Sequence, residues 1–279
     1  MKNTHALRIG IATAALAVGT SAAGQAQETH LWPRFSIGVG SFAISTTDDI
    51  GIDGEIGSRD RKVSVSTDLG LPKDQTLFAA GLEWQFATRH SLDLSYYSLD
   101  RDGSRSLDRN IQIGDRVFPV GAQAEASFKT TTYELGYTYW FHRSDRTGFG
   151  GTVGLVDVAL DASASATVRL GGAGGTISRS AHASTDLPVP MIGVNFKAEP
   201  WNRFVFRARG RFLPSVKIDK WDGDAASYTV SGEYFLIRQL SLGASYDGNY
   251  YRADVADANW NGSVDLESTG WKFFLRGSF

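Results

Sequence analysis

The last nine residues of the chain, from Trp271 to Phe279, alternate between two kinds of side chain. One face carries four large apolar or aromatic residues, namely Trp271, Phe273, Leu275 and Phe279. The opposite face carries Lys272 and Arg276. Because successive side chains of a β-strand point to opposite faces, this stretch predicts a strand with one apolar and one cationic face.

The same alternation recurs along the chain, in ten segments that follow residue 26. Most of the segments are close to the roughly 9–11 residues that a tilted strand needs to cross a membrane, whereas no run approaches the roughly 18 apolar residues of a membrane-spanning helix. Repeated strands with an inward charged face are typical of a closed cylinder with lipid outside and a polar lumen. We therefore predict an all-β, transmembrane, antiparallel up-and-down β-barrel of ten strands, with eight or twelve strands as the alternatives.

The N-terminus has the pattern of an export signal. Lys2 and Arg8 precede an apolar, Ala-rich run over Ile9–Val18, and small side chains stand at Gly24 and Ala26. This order of a positive start, an apolar run and small residues predicts cleavage after Ala26. The expected organisation is a signal peptide over residues 1–26 and one barrel domain over residues 27–279.

The connections between the segments alternate in length. Those after the even-numbered segments are only a few residues long, as at Arg238–Gln239. Those after the odd-numbered segments are long and polar, and they are Thr47–Gln75, Asp100–Ser127, Ala159–Ala183, Ile218–Ala226 and Asp247–Gly262. Short periplasmic turns and long extracellular loops give such a pattern, and both termini then lie in the periplasm.

The signal, the paired strands and the terminal Phe279 together resemble a bacterial outer-membrane β-barrel protein of the small, monomeric kind. The resemblance implies an outer-membrane location, contact with outer-membrane lipid and recognition by the barrel assembly machinery. The assembly signal would comprise Trp271, Phe273, Leu275 and Phe279, although Gly277 stands where a second aromatic residue is usual. The resemblance concerns location and architecture, and no family of known activity is matched.

Charged residues on the inward faces predict what fills the lumen. Arg203, Arg207, Arg209 and Arg211 share one face of a segment, and each would cost about 2–4 kcal/mol at the lipid midplane. Other charged residues of inward parity are Glu83, Asp93, Glu134, Glu233, Lys197, Lys272 and Arg276. We predict a salt-bridged network that plugs a narrow barrel, with a cationic pore or an anion-binding lumen as the alternative.

Two stretches hold candidate catalytic residues. His182, Ser184 and Asp186 share one face, and the spacing of His and Ser resembles the catalytic pair of outer-membrane lipid A deacylases, in which a base activates a hydroxyl. Acidic pairs such as Asp222 and Asp224 are what an omptin-like protease would need, but no Asp-x-His motif accompanies them.

One stretch has the spacing of a calcium loop. Asp257, Asn259, Asn261 and Asp265 place oxygen atoms at alternate positions, with Gly262 for a sharp turn. The closing Glu falls one place early, and a polar hairpin loop with an Asn-Gly turn is the simpler interpretation. We therefore predict neither a bound metal nor a cofactor.

The expected function is a structural or surface-interaction role for a non-enzymatic barrel. The alternatives are an enzyme acting on lipid A or peptides at the outer rim, and a narrow channel. A formal net charge of −2 gives no indication of a nucleic-acid partner, and the chain has no cysteine.

Overall fold

The computed structural model of the chain describes residues 30–52, 63–64, 70–108, 110–113, 116–118, 120–169, 176–218, 221–256 and 261–279. The predicted signal peptide lies outside these residues, as do Asp257 and Asn259 of the candidate calcium loop. None of the described residues belongs to a helix that is long and apolar enough to cross a membrane.

The described residues form β-strands joined by turns. In chain order the strands are β1 (Phe35–Ile52), β2 (Val63–Ser64), β3 (Asp74–Ala87), β4 (His90–Ser106), β5 (Ile111–Ile113), β6 (Arg116–Phe118), β7 (Gln123–Arg143), β8 (Thr147–Arg169), β9 (Thr176–Trp201), β10 (Phe204–Ile218), β11 (Trp221–Ile237), β12 (Leu240–Ala256) and β13 (Asn261–Ser278).

Ten of these strands form one closed antiparallel barrel. Each of β1, β3, β4 and β7 to β13 pairs with its neighbours in chain order, and β13 pairs with β1 to close the cylinder. The short β2 adds to β1, and β5 and β6 form a separate hairpin. At the closing edge the backbone amide of Phe279 donates to the carbonyl oxygen of Phe35 (2.8 Å). The prediction of a ten-stranded up-and-down barrel is confirmed.

The turns on the periplasmic side are short, as at Arg238 and Gln239 between β11 and β12. Between β9 and β10 the turn is formed by Asn202 and Arg203, and Arg203 has a positive φ of 68° and an exposed side chain. This corrects the prediction for Arg203. Its parity suggested a lumenal side chain, but the turn takes it out of the strand and away from the lumen.

The strands are longer than the sequence alternation suggested. β8 has 23 residues and β9 has 26, whereas a strand needs about 9–11 to cross a membrane. Much of the segments Ala159–Ala183 and Asp247–Gly262 is therefore strand, which extends the barrel beyond the level of the membrane. The barrel continues well beyond the membrane on the extracellular side.

The sequence alternation ends before the strands do, because the apolar face reverses part-way along them. On β8, Leu155 points outward and is 45% exposed, whereas the next residue, Val156, points inward and is 1% exposed. On β7, Leu135 is exposed outside and Phe128, nearer the extracellular end, is buried inside. Apolar side chains face out where the surroundings are lipid and face in where the surroundings are water. The reversal therefore marks the outer boundary of the membrane.

We use the name apolar belt for the outward surface between the periplasmic turns and the level of Leu155. It includes the exposed side chains of Ile37, Val39, Phe78, Leu94, Leu135, Val153, Ile192, Val194, Val230, Leu242, Phe273 and Leu275. Aromatic pairs lie near its outer edge, with ring centroids 5.2 Å apart for Tyr96 and Tyr133 and 5.2 Å apart for Tyr246 and Trp271. Such rings are suited to the boundary between hydrocarbon and water.

Candidate functional site in the barrel lumen

The periplasmic mouth is closed by the residues that precede β1, which we call the periplasmic cap (His30 to Trp32). Leu31 is completely buried and packs against Val205 and Phe235 inside the barrel. The indole Nε1 of Trp32 donates to the carbonyl oxygen of Ser144 in the turn between β7 and β8 (2.8 Å). The cap thus joins three different strands or turns across the mouth.

Polar contacts hold both ends of the cap. The backbone amide of His30 donates to Oε2 of Glu199 (3.2 Å), and its ring Nδ1 lies 3.0 Å from Oε1 of the same carboxylate. The ring of Trp32 packs edge-on against Trp140, with centroids 5.0 Å apart, and the guanidinium of Arg143 lies 4.2 Å from its centroid. This cap had no signal in the sequence, because residues 27–34 have no strand alternation.

Above the cap lies the lower ion-pair group, which consists of Glu83, Lys197, Arg207, Glu233 and Arg276. Lys197 pairs with Glu83. Arg207 bridges the two carboxylates, with Nη1 at 3.1 Å from Oε2 of Glu83 and Nε at 2.7 Å from Oε1 of Glu233. Arg276 also reaches both, at 3.5 Å from Glu83 and 3.3 Å from Glu233. Residues from five strands are joined across the lumen.

Next toward the outside is the upper ion-pair group, which consists of Asp93, Glu134, Arg209 and Arg211. Nη1 of Arg209 donates to Oδ2 of Asp93 (2.9 Å). Arg211 pairs with Asp93 through Nη2 and with Oε2 of Glu134 through Nη1 (3.2 Å). Each of the inward arginines of β10 therefore has a carboxylate partner, so their mutual repulsion is offset.

A separate pair completes the polar interior. Nζ of Lys272 lies 3.3 Å from Asp247. The carboxylate of Asp247 also accepts hydrogen bonds from the hydroxyls of Thr229 (2.7 Å) and Ser245 (2.6 Å). The structure thus places every inward charged residue of the sequence prediction inside the barrel apart from Arg203.

The extracellular half of the lumen is filled by an apolar plug. Its buried side chains are Phe42, Ile44, Leu77, Leu99, Phe128, Val156, Val158, Leu160, Met191, Ala225, Tyr251 and Leu266. Leu71, from the segment before β3, packs into it from above. Arg101 is buried beside the plug, where its Nη1 donates to Oγ1 of Thr46 (2.6 Å). No sequence prediction anticipated this layer.

Between the two ion-pair groups and the small side chains on the opposite wall lies a cavity of about 170 Å³. Charged groups of both signs line it together with the hydroxyls of Ser227, Thr229, Ser231 and Ser245. Apolar side chains, among them Phe42, Trp140 and Phe274, also line the cavity. The cap lies on its periplasmic side and the plug on its extracellular side.

The candidate catalytic residues His182, Ser184 and Asp186 lie on the outward face of β9 and are exposed. Nδ1 of His182 lies 3.8 Å from Oδ1 of Asp161 on β8. His182 pairs in register with Ser163, eight residues beyond Leu155 along β8. At about 3.3 Å per residue and a tilt of about 40°, His182 lies about 20 Å above the apolar belt. Acyl chains of a membrane lipid do not extend to that height.

Of the candidate calcium ligands, Asp265 has a described side chain, on the outward face of β13. Nη2 of Arg252 lies 3.3 Å from Oδ2 of Asp265, and Asn261 is the first residue of β13. Within the described ranges, no group of three or more His, Cys, Asp or Glu residues is placed to hold a metal ion. His30, His90 and His142 lie at the periplasmic end, and His182 is the one described histidine in the extracellular part of the barrel, on the outward face of β9.

Comparison with solved structures identifies the architecture. The outer membrane protease OmpT from Escherichia coli is similar at a TM-score of 0.58 and 10% identity, over 88% of this chain and 96% of that chain. The chain has the fold of the bacterial outer-membrane β-barrel proteins. Together with the apolar belt, this fold places the barrel in the bacterial outer membrane. At this identity the likeness to OmpT concerns the fold and not the activity.

Other solved structures match at lower TM-scores. The outer membrane protein OprG from Pseudomonas aeruginosa matches at a TM-score of 0.38 and 10% identity, over 90% of this chain and 99% of that chain. The P. putida toluene transporter TodX matches at a TM-score of 0.35 and 10% identity, over 88% of this chain and 90% of that chain. No known protein family and no curated protein matches the chain in sequence.

Proposed function

We propose that the protein is a non-conducting outer-membrane barrel with a structural or surface-interaction role. The observation that carries this proposal is the filling of the lumen at three levels: the periplasmic cap, the two ion-pair groups and the apolar plug. A diffusing solute would have to displace buried side chains at each level. Burial of an apolar side chain is worth about 1.5–3 kcal/mol, so several layers in series oppose opening.

The surface role is supported by the extracellular part of the barrel. Above the apolar belt, the outward faces of β7, β8 and β9 are polar. Lys129 pairs in register with Asp100 on one side and Asp161 on the other, and His182 and Ser184 continue the polar face. A tall, water-exposed sheet that carries the loops away from the membrane is suited to contacts with other molecules at the cell surface.

The proposed partners follow from the belt and the closing edge. The apolar belt would contact outer-membrane lipid, and the outward side chains of Trp271, Phe273, Leu275 and Phe279 would be read by the barrel assembly machinery during insertion. A single chain closes its own barrel through β1 and β13, which supports a monomer.

Planar-bilayer recording tests the proposal. The purified, refolded protein should produce no discrete current steps, and heat-modifiable migration on a gel confirms in parallel that the sample is folded. Regular current steps that scale with protein concentration would overturn the proposal. If such steps appear, replacement of Arg207 and Arg209 by Gln should change the anion preference of the current.

A further inference from the structure

We propose that the periplasmic rim of the barrel binds anionic phospholipids through five exposed arginines, which we call the arginine ring. They are Arg34, Arg89, Arg146, Arg203 and Arg238. The inference goes beyond the proposed function, because it concerns the outer surface of the barrel and holds whether or not the lumen conducts. It assigns to the bound lipid a headgroup charge and a leaflet.

The first observation is the regular placement of these arginines. The periplasmic end has four turns and one junction, where β1 meets β13. Each turn contains one arginine of the ring, and Arg34 directly precedes β1 at the junction. An arginine therefore follows every second strand around the whole perimeter. Adjacent strands are about 4.8 Å apart, so the backbone positions that carry neighbouring guanidiniums are roughly 10 Å apart.

The second observation is the level of the ring relative to the membrane. Each of its arginines stands within three residues of an exposed apolar side chain at the lower edge of the apolar belt. These side chains are Phe35, Phe86, Phe149, Trp201 and Ile237. Around Arg203, the rings of Trp201 and Phe204 have centroids 5.7 Å apart. Aromatic rings mark the boundary between hydrocarbon and water, so the guanidiniums beside them lie at the level of the lipid phosphates.

The third observation is the charge of this end of the barrel. Among the described residues there, the ring and Arg143 supply six positive charges. They face three carboxylates, namely the exposed Asp145, the buried Glu199 and the C-terminal carboxylate of Phe279. With Glu199 counted in full, the rim still has an excess of positive charge. Within the part of the chain that the structure describes, Arg89 and Arg203 form no ion pair.

The outward surface at the other end of the barrel has charge of the opposite sign. Above the apolar belt, outward carboxylates belong to Asp100, Asp157, Asp161, Asp186, Asp254 and Glu267. Of the outward cations there, Lys129 stands in register between Asp100 and Asp161, and Arg252 pairs with Asp265 (3.3 Å). An anionic headgroup is repelled at that end and attracted at the periplasmic rim. The ring therefore fits phospholipids of the periplasmic leaflet.

The chemistry of the guanidinium decides which phospholipid is preferred. A guanidinium donates two parallel hydrogen bonds to a phosphate, and it keeps its charge at any physiological pH. A phosphatidylcholine headgroup offers the same phosphate but carries a cation beside it, so its net charge is zero. A phosphatidylglycerol headgroup has a net charge of −1. The excess positive charge of the rim therefore selects phosphatidylglycerol over phosphatidylcholine.

Native mass spectrometry tests this selection. The intact protein is refolded in detergent micelles that contain equal amounts of phosphatidylglycerol and phosphatidylcholine with identical acyl chains, and the lipids that stay bound after removal of the micelle are counted. One arginine near an anionic membrane surface changes binding by about fivefold, so the wild type should retain at least about fivefold more phosphatidylglycerol.

Two double variants with the same loss of charge locate the binding. Arg89→Gln with Arg203→Asn should bring the ratio of the two lipids close to one. Asn is chosen at residue 203 because it tolerates the positive φ of 68°. Lys129→Gln with Arg252→Gln removes two charges from the extracellular end and should leave the ratio unchanged. Heat-modifiable migration on a gel confirms that each variant is folded.

Equal retention of the two lipids by the wild type would overturn the inference, even if a variant failed to fold. An equal fall of the ratio in both double variants would also overturn it, since the preference would then follow net charge and not the ring. Binding of the wild type to isolated peptidoglycan, without a lipid preference, would assign the ring to the cell wall instead. Conductance in planar bilayers would count against the proposed function and would leave this inference standing.

Discussion

The upper ion-pair group packs closely against the barrel wall at a glycine of β7. Gly136 of β7 stands opposite Asp93 in the register and faces inward. A Cβ at this position would lie 2.6 Å from Oδ1 of Asp93 and would also collide with Nη2 of Arg211. A side chain at residue 136 would require the carboxylate of Asp93 and the guanidinium of Arg211 to move out of their paired positions.

We expect Gly136→Ala to destabilise the barrel by about 1–3 kcal/mol, the usual cost of adding a methyl group where there is no room. Gly210→Ala is the matched control, since a Cβ there would meet no atom within 4 Å. Urea unfolding in detergent micelles, followed by tryptophan fluorescence, gives the two free energies of unfolding. Equal losses of stability for the two variants would show that the upper ion-pair group shifts freely to make room.

For individual residues, the sequence predicted which side chains face inward but not which side chains form ion pairs with each other. Strand parity placed Arg207, Arg209 and Arg211 in the lumen, and lipid would have been costly for each of them. Their partners Glu83 and Asp93 lie on β3 and β4, across the barrel, and the pairing depends on how the closed cylinder brings the walls together. Parity also has no meaning inside a turn, which is why it failed for Arg203.

Among the elements, the periplasmic cap closes one mouth of the barrel and had no sequence signal. The cap has only two apolar residues, Leu31 and Trp32. They precede β1 in a stretch that has no strand alternation. Whether such a short segment folds into the mouth depends on the shape of the mouth. Here that shape is set by Val205, Phe235 and Trp140.

Removal of the cap should expose the cavity to the periplasmic side. The chain has no cysteine, so Ser231→Cys gives a single thiol inside the lumen. Truncation of a buried Leu costs about 2–5 kcal/mol, and each ~1.4 kcal/mol changes a population tenfold. With Leu31→Ala and Trp32→Ala added, labelling by a small thiol reagent should therefore accelerate at least about tenfold.

Asp145→Cys, in the exposed turn between β7 and β8, controls for the reactivity of the reagent and should label at the same rate in both backgrounds. Unchanged labelling of the lumenal thiol after truncation would mean that the cap is not the barrier on the periplasmic side.

The whole molecule is one sheet whose strands pass from lipid into water. This change of surroundings explains why the sequence pattern did not reveal the full length of the strands. Within the apolar belt, an outward apolar face identifies a strand, as on β13. Beyond it the same strands reverse their pattern, so that polar residues such as Asp157 and Asp161 face out while Val158 and Leu160 face in. A search for one fixed pattern ends each strand at the reversal and assigns the rest to loops.

Arginine substitutions on one face of β9 test where the membrane ends. Val194 lies in the apolar belt, and Ser184 is on the same outward face, ten residues nearer the extracellular end and opposite Asp161. Val194→Arg should cost about 2–4 kcal/mol because a guanidinium there faces hydrocarbon. Ser184→Arg should cost nothing measurable, since the side chain is in water and an exposed ion pair with Asp161 is worth at most about 1 kcal/mol. The free energies of unfolding, measured in phospholipid vesicles, should therefore differ by at least about 2 kcal/mol between the variants. A similar loss for both would extend the lipid boundary to the level of Ser184 and bring His182 back within reach of a membrane lipid.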